Sequence, residues 1–224
     1  MVEFISILLI AHLLGDFVFQ TNKIAMMKSK SVKGISFHVT IVGVTAIFIM
    51  SFFYGLWGGI TAIIITIIHF CIDYMKLKLK NKIKKVQTLY FLFDQGLHIL
   101  VLLVASSFWK NPVARYQIKA EYSLLIIMSI IGYYVLSILV KYVIFDLKWM
   151  SQYPFFLKNE RPIDGVTALI LLYLNLLLTN YGFLTFVLYI LYRFIQKKNF
   201  KYEEKICLLK FVSLYLFAIV QVLF

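Results

Sequence analysis

Apolar runs of about 15 to 20 residues alternate along this chain with short basic patches, and a helix that crosses a bilayer needs roughly 20 apolar residues. The first run covers about residues 2–20 and is followed by a loop carrying Lys23, Lys28, Lys30 and Lys33. The second covers about 35–53 and ends in the glycine-rich turn Tyr54-Gly55-Leu56-Trp57-Gly58-Gly59. A third run reaches about residue 74, ahead of a lysine-rich stretch from Lys76 to Lys85, and a fourth covers about 88–108. The second half predicts a fifth span over about 122–145 and a basic loop to residue 164. Two short or tilted spans then follow within 165–196, turning near Thr179-Asn180-Tyr181-Gly182, and a last helix covers 206–224. The expected fold is an all-α polytopic transmembrane bundle of about eight spans. Residues 1–108 form a four-span domain, and residues 109–224 supply further membrane helices as a scaffold.

Composition supports a membrane protein. The 224 residues are 62% hydrophobic and 15% charged, with mean hydropathy +0.88, against ~45–50% apolar and ~25% charged in soluble domains. The net charge of +13 would suit nucleic acid, but the lysines and arginines sit between apolar runs, which is the pattern of cytoplasmic loops. With the first loop inside, nineteen Lys and Arg fall on the cytoplasmic side and three (Lys110, Arg115, Lys119) outside, while Lys210 lies within the last span. The expectation is a multi-pass protein of the cell membrane with both termini outside and no nucleic-acid partner. Met1-Val2-Glu3 lacks the basic region of a signal peptide, so the first run is expected to be retained. Cys71 and Cys207 are too few and too far apart for a disulfide framework. The run Lys76–Lys85 reads as an interfacial patch on anionic lipid.

The polar residues inside the apolar runs carry the chemistry. All four histidines (His12, His38, His69, His98) lie in the first four spans, and three have an aspartate four residues away: Asp16, Asp73 and Asp94. With five aspartates in the chain, three such matches by accident are of order one in a thousand. The i, i+4 spacing puts imidazole and carboxylate on one helical face, and the order reverses in span four, which runs the opposite way. At about 1.5 Å per residue all seven groups reach one layer of the inner leaflet, with His38 at its edge. Burying carboxylates in a membrane is costly unless they are paired, so intramembrane Asp and His point to function. His12 to His69 is 57 residues and His38 to His98 is 60, which suggests two parallel-oriented hairpin repeats. Farther on, Arg161-Pro162-Ile163-Asp164 reads as a helix start, with Asp164 apart from the site.

These strings resemble an uncharacterised bacterial membrane-protein group, domain-of-unknown-function family 3307. The likeness rests on Ala11-His12-Leu13-Leu14-Gly15-Asp16-Phe17-Val18-Phe19-Gln20 with Lys28 and His38. It continues through His69-Phe70-Cys71-Ile72-Asp73-Tyr74 with Lys76, and through Asp94-Gln95 with His98, covering about residues 5–105. The resemblance implies a multi-span membrane protein and adds Gln20, Lys28 and Gln95 as neighbours of the site, in contact with substrate or behind the ligands.

Mixed imidazole and carboxylate donors suit borderline transition metals, zinc above the others, and suit Mg or Ca poorly. The expectation is one or two such ions on His12, His69, His98 and His38, with Asp16, Asp73 and Asp94 as ligands, bridge or general base, and no organic cofactor. The chemistry that follows is a membrane-embedded hydrolase acting near the cytoplasmic face on a lipid, lipid-linked or peptide bond. Two other readings use the same residues: an ion or proton-coupled carrier with the cluster as a relay, and a membrane partner protein with a structural metal.

Overall fold

A computed structural model describes residues 2–79, 86–109, 113–147, 182–200, 202 and 204–223, with scattered positions between 163 and 174. The regular elements among the described residues are all helical, as the apolar runs predict. Val32–Leu79 and Gln87–Ser107 are each long and apolar enough to cross a membrane. Val2–Val18 with Asn22–Lys28 makes a third candidate, bent by 92°. The protein is therefore a membrane protein. It divides into two compact units, Met1–Ile130 and Ile131–Phe224.

In the first unit, α1 (Val2–Leu13) runs on into a π-helical turn, Leu14–Val18. Phe4, Ile7, Leu8 and Ala11 are buried, because α1 packs against α3 (Val32–Leu79), α4 (Gln87–Ser107) and α5 (Ala120–Ile130). A helix apolar on all sides is a core helix, so α1 lies inside its neighbours. The segment expected as a plain basic loop contains a further helix, α2 (Asn22–Lys28). Thr21 caps it, its hydroxyl accepting from the Ile24 amide at 3.3 Å, which satisfies one of the free donors of a helix start. Gly34 lets α2 lie on the start of α3, since a Cβ there would come within 2.1 Å of the Met27 carbonyl oxygen.

The two expected spans on either side of the glycine-rich turn form one long helical stretch that reverses at Gly55, where φ is 63° and ψ is −150°. That conformation strains any side chain with a Cβ. The two arms pack back to back, with Gly43 facing Thr66. The reversal is held from outside the hairpin, where the Arg115 amide donates to the Phe53 carbonyl at 2.7 Å; the Ile118 amide, in the same segment, donates to Glu3 Oε1 of α1 at 3.1 Å.

The second unit contains a π-helical turn Ile131–Val135, then Leu136–Asp146, Gly182–Phe200 and Glu204–Leu223. Lys141, counted above with the cytoplasmic loops, is buried within its helix. The expected break at 179–181, most of the loop 146–164 and residues 80–85 of the lysine run lie outside the described residues. Val140, Ile144, Tyr202, Ile206 and Cys207 form one apolar cluster, and Leu171, Tyr192, Phe211 and Leu214 another. Asp164 is buried in this unit with donors on every side. Its carboxylate accepts from Ser137 Oγ at 3.0 Å, Tyr192 Oη at 2.7 Å and Gln196 Nε2 at 2.9 Å, and pairs with Lys210 Nζ at 2.8 Å.

Removing one partner of a buried pair leaves an uncompensated charge, at a cost of about 3–5 kcal/mol. Lys210→Met is therefore expected to lower the thermal unfolding midpoint in detergent, and Asp164→Asn combined with Lys210→Met to restore part of the loss. A single variant as stable as wild type would show that the pair contributes nothing.

Candidate metal centre

Seven side chains meet in the first unit: His12 and Asp16 from α1 and its π turn, His38, His69 and Asp73 from the two arms of α3, and Asp94 and His98 from α4. None is more than 5% exposed. The His12 and His69 rings lie 5.5 Å apart between centroids, His12 and His98 5.4 Å, and His69 and His98 stack at 4.2 Å. The i, i+4 spacing has brought each imidazole and carboxylate to one face, as helical periodicity requires.

Periodicity did not identify the nearest partners. Within helices, His12 Nε2 is 3.9 Å from Asp16 Oδ2, His69 Nε2 is 3.3 Å from Asp73 Oδ2, and His98 Nε2 is 3.7 Å from Asp94 Oδ1. Each of the three aspartates has a closer partner on another helix, Asp94 in Lys76 of α3. Asp16 Oδ1 lies 3.0 Å from His38 Nε2, and Asp73 Oδ2 lies 3.0 Å from Lys28 Nζ. For Asp16 the cause is local, because it sits in the π turn, whose wider coil shifts a side chain off the α-helical stripe.

His38 was expected at the edge and lies at the centre, completely buried. Its Nε2 is 3.0 Å from Asp16, 3.6 Å from Asp73, 3.4 Å from His69 Nε2 and 3.0 Å from Lys28 Nζ. Lys28 explains the difference. The 92° bend after the first span folds α2 back over the cluster, so the ammonium also lies 3.4 Å from Asp16 Oδ1. Lys28 thus enters the site itself, where the resemblance had implied only a neighbour.

Asp94 stands toward the surface. It pairs with Lys76 Nζ and accepts from Gln95 Nε2 at 3.1 Å. The Tyr90 hydroxyl donates to the Lys76 carbonyl at 3.0 Å, with the Lys76 ammonium 5.5 Å from the Tyr90 ring centre. Gln95 therefore touches the cluster through Asp94. Gln20 is not brought into it by any contact among the described residues, and its Oε1 is buried without a hydrogen-bond partner. Lys76, which opens the lysine run expected on lipid and also stands in the strings of the resemblance, pairs here with a carboxylate of the cluster. The signal for its role was its position three residues after Asp73, one helical turn farther along the same face.

Two groups of donors could hold a cation, Asp16 with His38 and His69, and His69 with Asp73 and His98. In each, the donor atoms lie within 4.8 Å of one another and the residues are buried. His12 Nε2, His98 Nε2 and both Asp73 oxygens have no hydrogen-bond partner. The approaches of Lys28 and His69 to Asp73 are at ion-pair distance without hydrogen-bond geometry. Buried polar atoms are ordinarily satisfied, so an unsatisfied imidazole nitrogen beside an unsatisfied carboxylate fits a metal ion.

The family profile described as "Protein of unknown function (DUF3307)" matches residues 4–127. That is more than half of the chain, and the chain belongs to this family, as the His/Asp strings implied. The match falls within the unit that contains the cluster. No curated protein and no solved structure matches the chain.

Gly15, inside the His12–Asp16 string, lies against the α3 backbone, where a Cβ would come 2.8 Å from Val42 Cα. Gly15→Ala is expected to force α1 from α3 and destabilise the protein by about 1–3 kcal/mol. Gly96 has nothing within 4 Å of the same atom, so Gly96→Ala should leave stability unchanged or raise it slightly. Thermal unfolding in detergent compares the two, and an equal effect at both positions would refute the close approach.

Proposed function

We propose that this member of the DUF3307 family is a metal-dependent hydrolase embedded in the cell membrane. It acts near the cytoplasmic face on a lipid, lipid-linked or peptide substrate. The observation that carries the reading is the buried trio His69, Asp73 and His98, with donors within 4.8 Å of one another and with His98 Nε2 and both Asp73 oxygens unsatisfied. Such a set is stable in apolar surroundings only beside positive charge. Its mixed nitrogen and oxygen character suits zinc first among the transition metals, as one or two ions.

When bound, such an ion supplies Lewis acidity to a carbonyl or phosphoryl oxygen and lowers the pKa of water. The chain's own residues do the rest. His69 and His98 donate nitrogen, with His12 behind them, and Asp73 anchors the site from α3. His38 holds Asp16 in place at 3.0 Å. Asp94 is the carboxylate nearest the surface, beside Lys76, whose side chain is 29% exposed, and is placed to pass a proton to or from substrate. Lys28 and Lys76 bring positive charge to the side where an anionic group would approach. No organic cofactor enters this reading.

One observation favours a second reading. Lys28, His38, Asp16, Asp73, His69 and His98 form an unbroken chain of contacts of 4.0 Å or less, and such a chain also serves as the relay of a proton- or ion-coupled carrier.

In the membrane, the reading takes the chain as about eight spans with both termini outside and two hairpins entering from the same side, so that the Lys28 and Lys76 face is cytoplasmic. What supports it is the excess of Lys and Arg on the loops of that face. In a variant lacking Cys71 and Cys207, a cysteine introduced beside Arg115 is expected to react with an impermeant thiol reagent added outside intact cells, and one beside Lys78 to stay unlabelled. The reverse pattern would invert the topology.

Elemental analysis tests the chemistry. Purified wild type is expected to carry a transition metal, His69→Ala to lose it, and Asp73→Asn to stay folded while losing metal or activity. Metal-free protein that moves protons into liposomes would favour the carrier and sink the hydrolase.

A further inference from the structure

We infer that the centre binds a single metal ion, on His69, Asp73 and His98, and that the Lys28 ammonium serves as its second cation among Asp16, His38 and Asp73. The inference rests on the metal reading above and specifies how the site is composed.

The two donor groups compete for one residue. His69 belongs to both, and its Nε2 faces His38 at 3.4 Å and Asp73 at 3.3 Å. A neutral imidazole nitrogen has one lone pair, so this Nε2 serves one ion. The Asp16 group is already approached by a cation fixed to the chain: Lys28 Nζ lies 3.4 Å from Asp16 Oδ1 and 3.0 Å from His38 Nε2. In the other group, Asp73 Oδ1 faces His98 Nε2 at 4.0 Å, and both atoms lack a hydrogen-bond partner. Asp73 therefore bridges the halves, with Oδ2 toward Lys28 at 3.0 Å and Oδ1 toward His98.

The position of Lys28 is built into the fold. Thr21 caps its helix, the chain turns by 92° to bring that helix back, and Gly34 removes the Cβ that would hold it off α3. Charge agrees. Lys76 is paired with Asp94 near the surface, which leaves Asp16 and Asp73 as the carboxylates to be balanced inside. One ammonium and one divalent ion exceed those two charges by one. A second divalent ion would raise the excess to three in a site walled by apolar helices, where uncompensated charge is strongly disfavoured.

The test is metal stoichiometry on the full-length protein, purified in detergent, equilibrated with zinc and desalted before elemental analysis. Wild type is expected to hold one zinc per chain. His38→Ala should keep it and His98→Ala should lose it. Because Lys28→Met alone leaves two buried carboxylates unbalanced and can fail to fold, the paired variant Asp16→Asn with Lys28→Met provides the check: it deletes the ammonium site and should still bind one zinc. Two zinc ions per wild-type chain would overturn the ammonium assignment while keeping the metal reading. Loss of zinc from the paired variant or from His38→Ala would overturn it as well, by placing the ion on the Asp16 side. No zinc on wild type, with the protein folded, would end both.

Discussion

Everything in the first unit answers to one constraint: three carboxylates, Asp16, Asp73 and Asp94, are buried among apolar helices. Each must be met by a cation, a proton or a hydrogen-bond donor, because an isolated charge in such surroundings costs several kcal/mol even after relaxation. Asp94 is met by Lys76 near the surface, and Asp16 by His38 and Lys28. Asp73 has Lys28 and three imidazoles around it, yet neither of its oxygens has hydrogen-bond geometry with any of them. The helices are arranged to bring these partners together, and the metal reading follows from the atoms that remain unsatisfied.

The backbone makes this possible at a few places where ordinary helix geometry gives way. Gly15 allows α1 to lie against α3, which carries Asp16 to His38. The π turn around Asp16 turns that carboxylate away from a purely intrahelical partner. Gly55 reverses α3 so that His38 and His69 face each other across the hairpin. Gly34 admits α2, and with it Lys28. At the far end of the unit, Glu3 and Arg115 fasten the N-terminus and the hairpin turn to the segment after α4. Position along α1 and α3 is thus fixed at one end while the cluster forms at the other.

Much of this was legible in the residues. Long apolar runs make helices because the backbone must satisfy its own hydrogen bonds in lipid, and His-x-x-x-Asp spacing places two groups on one face whatever the tertiary structure. Those two facts led to the all-α fold and to the seven residues that meet. They could not give the partners, which depend on how helices cross. Depth along the helix sets His38 at the edge of the layer, yet its partners come from the π turn after α1, from α2 and from the other arm of α3. The family resemblance marks Lys28 as a neighbour of the site, but nothing local to it encodes the bend that carries it into the centre. Lys141 shows the same limit, since it is buried within its helix while charge counting groups it with the basic loop that follows.

Each unit buries a cluster of polar groups around a carboxylate, and the two differ in how far that carboxylate is satisfied. Asp164 has Ser137, Tyr192, Gln196 and Lys210 within 3.0 Å, so its carboxylate is saturated by the protein. A carboxylate so completely satisfied has little left to offer a ligand, and its role is to hold its own unit together. Asp73 is equally buried but has no hydrogen-bond partner on either oxygen, and the nearby His12 and His98 share that condition at Nε2. Leaving buried acceptors unmet costs stability, and a fold able to saturate Asp164 could in principle have saturated Asp73 as well. The deficit at Asp73 is confined to the unit that the family profile covers. With Lys28 Nζ 3.0 Å from Oδ2 and no partner nearer to Oδ1 than His98 Nε2 at 4.0 Å, Asp73 keeps lone pairs that a cation could take up, and Asp164 does not.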